Sequence, residues 1–468
     1  MISIGKVSKV QLVFPKHAYG HLALEKEVDP QPPLGLLVLA SYIREKLPDI
    51  NVEIFDGKRI SEAELLRKLD SDVIGLSVWY SNYDNAKRLA EQIKARKPST
   101  KIIMGGPHAT AIANRIIKHN PYVDAVICGE GEIAFTQLLK GVPWKNIQGV
   151  MYRSNDIISW NSDDQITAER IDLDSLPFFD LELLRPQFLW KNRDNPPAMS
   201  AFPLAGIRGC CHIKRCEYCS GHFIGFRSMN PERYWAQVKL LNDKYNINYF
   251  FETGDIFPPK LIKLYSQSKH INKVGFRIYS YLGNFKKNDM EYLNKFGVKV
   301  IFMGIESILI WKKKFIRKYA YNYGIKSLFK EIEMLRQFNI DLITSFILGL
   351  PGETTESLTL NRKIIQYLLQ RFNIKEITVS AVLPIPGSAY FRDCLNDSFI
   401  KQEYHKLTGN NLLYCDVIDY YILSQLFINR YTNVGYRKTY DLLISLEEKI
   451  GTKMAHFGSK IALNNQEY

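Results

Sequence analysis

Four cysteines fall within ten residues of the segment RGCCHIKRCEYCS (208–220): Cys210, Cys211, Cys216 and Cys219. Thiolates at this density are a metal-holding pattern. Cys216 and Cys219 form a C-x-x-C around Tyr218, and Cys210 or Cys211 can supply a third thiolate. Three thiolates on a four-iron cluster leave one iron open to a small molecule. A zinc knuckle made of Cys211, His212, Cys216 and Cys219 competes with this reading. Structural zinc usually takes its ligands as two separated pairs, however, and no second pair follows. A disulfide scaffold fits less well, because such scaffolds are short secreted domains. This chain has 468 residues and 7 cysteines, an odd number.

The elements that must carry this loop are read from periodicity. From residue 201 the chain alternates apolar runs with amphipathic stretches. The expected strands are LAGIRG (204–209), NYFFETG (248–254), KVGFRIYSYL (273–282), KVIFMGIES (299–307), DLITSFILGL (341–350) and EITVSAVLP (376–384). PERYWAQVKLLNDKY and IKSLFKEIEMLRQF are among the helices between them. Residues 396–468 read as a helical segment rich in Tyr, Leu and Lys.

The same alternation governs the first third. VQLVF, NVEIF, DVIGLSVW, KIIMGG and AVICGE read as strands, with helices such as LGLLVLASYIREKL between them. Alternation at this spacing predicts an α/β fold, a doubly wound parallel sheet wrapped by helices. Ligands of such sheets bind beyond the strand carboxyl ends. Polar and glycine-rich sequence gathers there: Ser77 to Asn82, Gly105-Gly106-Pro107-His108, and Gly129-Glu130-Gly131-Glu132. The pair GVMYR and DIISW reads as a small hairpin in a linker.

Composition bounds the rest. The length suggests two or three domains at ~100–200 residues each. No run of about 18 apolar residues is present, so no membrane span is expected. MISIGKVSKVQLVF lacks an apolar signal-peptide core, and reduced cysteines without an export signal point to the cytoplasm. The net charge of +14 leaves nucleic acid open as a partner, but the lysines are dispersed in the manner of a solvated surface.

PPLGLLVLASYI, GLSVWYSNY, GGPHAT and GEGE, in this order, resemble the cobalamin-binding domain that precedes the catalytic domain in many radical S-adenosylmethionine (SAM) enzymes. Arg-Gly-Cys followed by C-x-x-C resembles the cluster loop of that family. The resemblance implies a Rossmann-like cobalamin domain over 1–150, a hairpin and linker over 151–200, a partial (β/α)6 barrel over 201–395 and the C-terminal segment 396–468. It also implies cobalamin contacts from Leu34, Gly35, Ser77, Trp79, Ser81, Asn82, Gly105, Gly106, His108, Gly129, Glu130 and Gly131. Cys210, Cys216 and Cys219 would hold a 4Fe-4S cluster, with Cys211 the alternative to Cys210. The family spacing C-x-x-x-C-x-x-C would put His212 at the first position, so the loop here is longer. SAM would meet Tyr218, Glu252, Thr253, Gly254, Asp255, Glu306, Ser307, Leu348 and Gly349. ILGLPGE resembles the segment lining the adenine, although it also reads as a helix entry capped by Thr354 or Thr355.

One departure concerns cobalt. Many cobalamin domains carry D-x-H-x-x-G, whose histidine coordinates the metal from below. Asp56-Gly57-Lys58 takes that turn here with no histidine nearby, which implies cobalamin without a lower imidazole. The two cofactors imply reductive SAM cleavage and methylation of an unactivated carbon of a small-molecule or peptide substrate. The external electron donor would be flavodoxin- or ferredoxin-like. Cyclisation or rearrangement without methyl transfer stays open, as does a non-catalytic cobalamin or iron–sulfur sensor.

Overall fold

The computed structural model describes residues 3–17, 31–154, 157–160, 168–184, 201–212, 215–221, 225–268, 273–309, 324–372, 374, 376–450 and 454–455. They divide into two compact units. The first comprises the described residues up to 184 together with a returning segment, Tyr414–Val417.

In the first unit, β1 (Lys9–Phe14), α1 (Leu34–Lys46), β2 (Asn51–Asp56), α2 (Glu62–Lys68), β3 (Val73–Ser77), α3 (Tyr83–Arg96), β4 (Lys101–Gly105), α4 (Pro107–His119), β5 (Ala125–Ile127) and α5 (Glu132–Leu139) alternate as the periodicity predicts. The sheet order is β2-β1-β3-β4-β5, all parallel. Its strands are continuous apolar runs because helices cover both faces: Leu12, Val13, Ile74, Leu76, Ile102, Met104 and Val126 are all buried. The chain steps from β1 outward to β2 and returns on the other side as β3. That is the topological switch point where open α/β sheets bind ligands. The predicted hairpin forms as β6 (Val150–Ser154) and β7 (Ile157–Trp160), and it extends this sheet in antiparallel fashion through β5.

The second unit carries a parallel sheet ordered β8 (Phe202–Leu204), β11 (Tyr249–Glu252), β12 (Gly275–Tyr281), β13 (Val298–Glu306), β14 (Asp341–Leu348), β15 (Glu376–Ala381) and β16 (Met454–Ala455). Five of the seven, β11 to β15, are predicted βα strands. Between them run α6 (Pro231–Tyr245), α7 (Pro259–Gln267), α8 (Met290–Phe296), α9 (Ile325–Gln337) and α10 (Thr355–Arg371). Helices α11 (Ala389–Asn396), α12 (Ser398–Thr408), α13 (Tyr420–Tyr431) and α14 (Gly435–Ile450) follow β15. The described part of the C-terminal segment, up to residue 450, is therefore mainly helical, and Met454–Ala455 pairs with β15 as β16. A two-residue strand is too short to leave a period in the sequence.

One expectation is corrected. LAGIRG is not one strand: β8 ends at Leu204, and Ile207–Arg208 forms a separate strand, β9, antiparallel to β10 (Arg227–Ser228). At the turn between them the backbone passes so close to the Tyr234 ring that a Cβ on Gly206 would collide with it. The Asp56 turn meets the end of β1 in space. Gly57 N donates to the Phe14 carbonyl at 2.8 Å, and a Cβ on Gly57 would sit 2.7 Å from Lys16 N. The turn thus packs on the end of β1, beside His17.

Strand alternation gives the second sheet two chemically distinct faces. Phe250 and Phe276 pack at 5.6 Å on the helix side, where Phe276 meets Phe296 of α8 and Trp235 of α6. On the opposite face, Tyr279 contacts both Phe251 and Phe302 at 5.1 Å, and the Arg277 guanidinium lies 4.7 Å from the Phe251 ring. Trp235 is fully buried and its Nε1 donates to the Tyr265 carbonyl at 2.8 Å. Trp235→Ala should therefore cost about 3–5 kcal/mol, read as a lower denaturant midpoint. A loss under about 1 kcal/mol would contradict this packing.

Candidate functional site

The cysteine loop is an excursion from a pinched neck. Strands β9 and β10 pair Ile207 with Ser228 and Arg208 with Arg227. Just inside, Gly209 has φ of 84°, and a Cβ there would run into the Gly225 carbonyl. Only glycine fits a left-handed residue at such close backbone approach. Cys210, Cys211, Cys216 and Cys219 are all free thiols of intermediate exposure. Cys219 N donates to the Cys216 carbonyl at 3.0 Å, which closes a turn around Glu217 and Tyr218.

Two further ties fix the loop. Tyr218 donates from its hydroxyl to Glu306 Oε1 at 3.0 Å. The Glu217 carbonyl accepts from Ala389 N at 2.9 Å and Tyr390 N at 3.2 Å, the first turn of α11. The His212 ring stacks 4.7 Å from Tyr281, which alternates onto the same face as Tyr279. The loop therefore lies over the carboxyl ends of β12 and β13, on the face away from the helices. Burial, with a smaller push from the Asp255 carboxylate, raises the Cys210 thiol to about 12, and Cys211 is raised for the same reasons. Among the described residues no three His, Cys, Asp or Glu side chains are drawn into a finished metal site. The donor set still fits an iron–sulfur cluster: thiols alone, several on one tethered loop, able to bind as thiolates once a metal displaces their protons.

Glu306 ends β13 at a register shift and has φ of 63°. A non-glycine residue there is strained, and such strain collects at functional sites. Ser307 is fully buried, and its Oγ accepts from Asn361 Nδ2 at 3.0 Å. The same amide nitrogen donates to Glu353 Oε1 at 2.9 Å, and Asn361 Oδ1 accepts from Ile308 N at 3.1 Å. Glu353 Oε2 in turn accepts from Gly349 N at 2.5 Å. One amide on α10 thus wires the end of β13 to the Leu348–Gly349 turn that ends β14. Asn361 carries no sequence signal, since a lone asparagine in a helix ordinarily faces water. Thr354, not Thr355, caps α10.

Glu252 faces away from the loop. It alternates with Phe251 onto the helix side, where it is 1% exposed. Its Oε1 accepts from Ile207 N at 3.2 Å and Gly254 N at 3.3 Å. Thr253 Oγ1 donates to the Leu204 carbonyl at 2.6 Å. Gly254 lies against Ile207, leaving no room for a Cβ. Asp255 is exposed beyond it. The 252–255 turn therefore exposes Asp255, while Glu252 locks the β8–β9 corner.

In the first unit, the predicted contacts lie beyond the carboxyl ends of β1, β3, β4 and β5. The Asn82 side chain is fully buried; its Oδ1 accepts from Trp79 N at 2.7 Å, and its Nδ2 donates to the Pro15 carbonyl at 3.2 Å and the Ser77 carbonyl at 3.3 Å. Ser81 Oγ lies 2.7 Å from Nδ1 of His17, a histidine that stands far from the Asp56 turn in sequence. Gly106, at φ of 100°, lets the chain pass Val78, and His108 N donates to the Val78 carbonyl at 3.2 Å. Gly105 faces no tight contact. Gly129 N donates to Thr110 Oγ1 at 2.9 Å, whereas Glu130 turns its carboxylate to Ile171 N. Leu34 and Gly35 open α1 and Gly131 caps α5; a Cβ would meet nothing at Gly35 and only ordinary contact with the Leu39 side chain at Gly131. Trp79 is 47% exposed, an indole left on the surface at the strand ends.

Residues 21–139 match the family model of the B12 binding domain. The fold matches the radical SAM methyltransferase TsrM from Kitasatospora setae, solved with cobalamin and a 4Fe-4S cluster bound, at a TM-score of 0.62 and 14% identity over 83% of this chain and 75% of that one. The chain is thus similar to radical SAM enzymes that carry a cobalamin-binding domain. Two relatives lie within reach by sequence. An uncharacterised methyltransferase of Pyrococcus horikoshii is 26% identical over 425 residues, 86% of this chain and 87% of the relative. The anaerobic magnesium-protoporphyrin IX monomethyl ester cyclase of Cereibacter sphaeroides is 22% identical over 338 residues, 69% of this chain and about half, 53%, of its own length. The expected α/β class, a Rossmann-like domain followed by a barrel-type sheet, is borne out.

Burial lifts the Glu252 carboxyl to about 8, despite backbone donors that pull it down. The folded protein thus holds a proton between about pH 4.5 and 8 that the unfolded chain has released, so stability falls as pH rises through that window. Glu252→Gln, which mimics the protonated acid, should flatten the decline by about 1.4 kcal/mol per pH unit. Denaturant midpoints measured at intervals across the window test this, and an unchanged slope would contradict it.

Proposed function

We propose that this protein is a cobalamin-dependent radical SAM methyltransferase acting on an unactivated carbon of a small-molecule or peptide substrate. The observation that carries the reading is one chain holding both a B12 binding domain over 21–139 and a neck-pinched loop with four thiols at the carboxyl ends of a parallel sheet. When bound, the cluster supplies the electron for SAM cleavage and cobalamin a carrier for the methyl group.

Cys216, Cys219 and Cys210, or Cys211 in its stead, are the residues proposed to hold the cluster. Tyr218 and Glu306 connect the loop to β13 through their hydrogen bond. Glu306 and the backbone of Gly254 and Asp255 are the groups proposed for the charged methionine end of SAM, since a buried charge needs polar partners. Ser307, Leu348 and Gly349 would meet its nucleoside, their positions set by Asn361 and Glu353. The aromatic face formed by Phe251, Tyr279 and Phe302 keeps water from the sheet surface beneath the loop. The protein's part is binding, orientation and exclusion of water. A flavodoxin- or ferredoxin-like donor would deliver the electron. Among the described residues no helix is long and apolar enough to cross a membrane.

The cyclase relative supports a second reading, cyclisation without methyl transfer. Product mass separates the two: the proposal expects a product heavier by one CH2 per event, and a product lighter by hydrogen alone would replace it with the cyclase reading. In parallel, Cys216→Ala and Cys219→Ala should lose the four-iron absorbance after anaerobic reconstitution while still binding cobalamin. An intact, active cluster in either variant would rule out these ligands.

A further inference from the structure

The chain returns to the first unit at Tyr414–Val417. Asp416, 7% exposed, receives three donors on Oδ2: the Tyr83 hydroxyl at 2.8 Å, Lys87 Nζ at 2.8 Å and Asn120 Nδ2 at 2.9 Å. Asn120 Nδ2 also lies 2.8 Å from the Tyr83 hydroxyl. Tyr83 and Asp416 are 333 residues apart in sequence. The neighbours of Asp416 hold the segment in register. Arg115 Nη1 donates to the Cys415 carbonyl at 3.0 Å, the Lys118 ammonium sits 5.3 Å from the Tyr414 ring, and Val417 packs on the core beneath α3 and α4.

Burial works to protonate Asp416, yet the bonds from Lys87, Tyr83 and Asn120 outweigh it and keep the carboxyl below its ordinary value. Tyr83 is pushed far above the ordinary phenol range by burial and by Asp416, so it stays protonated and donates. The result is a charge-assisted hydrogen bond in a nearly dry site, among the stronger kinds available.

Tyr83 occupies a sensitive position. It is the first residue of α3, directly after the Asn82 side chain that gathers Trp79, Ser77 and Pro15. Its ring lies edge-on to His108 with centroids 5.4 Å apart. Rotation of the phenol would release both the Ser77–Asn82 loop and the start of α4, the turns that follow β3 and β4. We infer that Asp416 is a positioning residue for the corrinoid site, pinning Tyr83 so that the Ser77–Asn82 loop and His108 are set before cobalamin arrives. This rests on residues 21–139 being the cobalamin-binding part of the protein.

The test is titration of the full-length protein with hydroxocobalamin, followed by absorbance. Asp416→Ala should weaken binding by about tenfold or more, the order expected when groups that orient a binding residue are removed. Asp416→Asn, which keeps an acceptor oxygen for the Tyr83 hydroxyl, should stay within about threefold of wild type. Tyr83→Phe leaves Asp416 bonded to Lys87 and Asn120 and so keeps the fold, but should weaken binding in the same direction as Asp416→Ala. Because the two residues act as one unit, the double variant should bind no more weakly than Asp416→Ala. Wild-type affinity in Tyr83→Phe, losses that simply add, or an Asp416→Asn as defective as Asp416→Ala would overturn the inference. A wild-type protein that binds no hydroxocobalamin would instead remove the reading on which it rests.

Discussion

The arrangement of the second unit depends on a close backbone approach at the neck of the cysteine loop. Gly209 and Gly225 meet where no side chain fits, and the short β9–β10 pair holds them together. A loop closed at its base loses much of the conformational freedom that ordering its thiols would otherwise cost. Two more ties then set its orientation: Tyr218 to Glu306, and the Glu217 carbonyl to the first turn of α11. The cysteines are thereby carried to the strand ends before any metal is present.

Behind the loop, the polar groups are wired and satisfied. Asn361 takes up Ser307, Ile308 and Glu353 at once, and Glu353 takes up Gly349. Buried polar networks of this kind rigidify when every member is partnered. Here the partners belong to the ends of two adjacent strands. The left-handed Glu306 is held in its strained conformation by that network on one side and by Tyr218 on the other. The first unit uses the same device at its switch point, where the Asn82 side chain gathers three backbone groups from two segments and Asp416 secures the neighbouring Tyr83.

The fold is legible in the sequence because both parallel sheets write themselves as apolar runs separated by helical periods. The cysteine loop is legible because four thiols within ten residues serve little purpose besides holding metal. What stays hidden has physical causes. LAGIRG looks like one strand because apolar residues continue across the turn at Gly206, where the backbone passes close to the Tyr234 ring. Glu252 looks like a ligand because it ends a strand. Alternation counted from Phe250, whose ring packs on the helix side, assigns it to that side instead. His17 is concealed because the turn at Asp56 and the end of β1 touch only in space. Asn361 and Asp416 act across 54 and 333 residues respectively, beyond any local pattern.

The central claim is that one chain carries two metal cofactors, iron in the cysteine loop and cobalt in the N-terminal unit. Its most direct test is elemental analysis of protein produced anaerobically with iron, sulfide and cobalamin supplied, alongside its visible spectrum. The account predicts iron and cobalt at about four to one per chain, as one four-iron cluster and one corrinoid require. Zinc in place of iron, or a protein that takes up iron but excludes cobalamin, would contradict it.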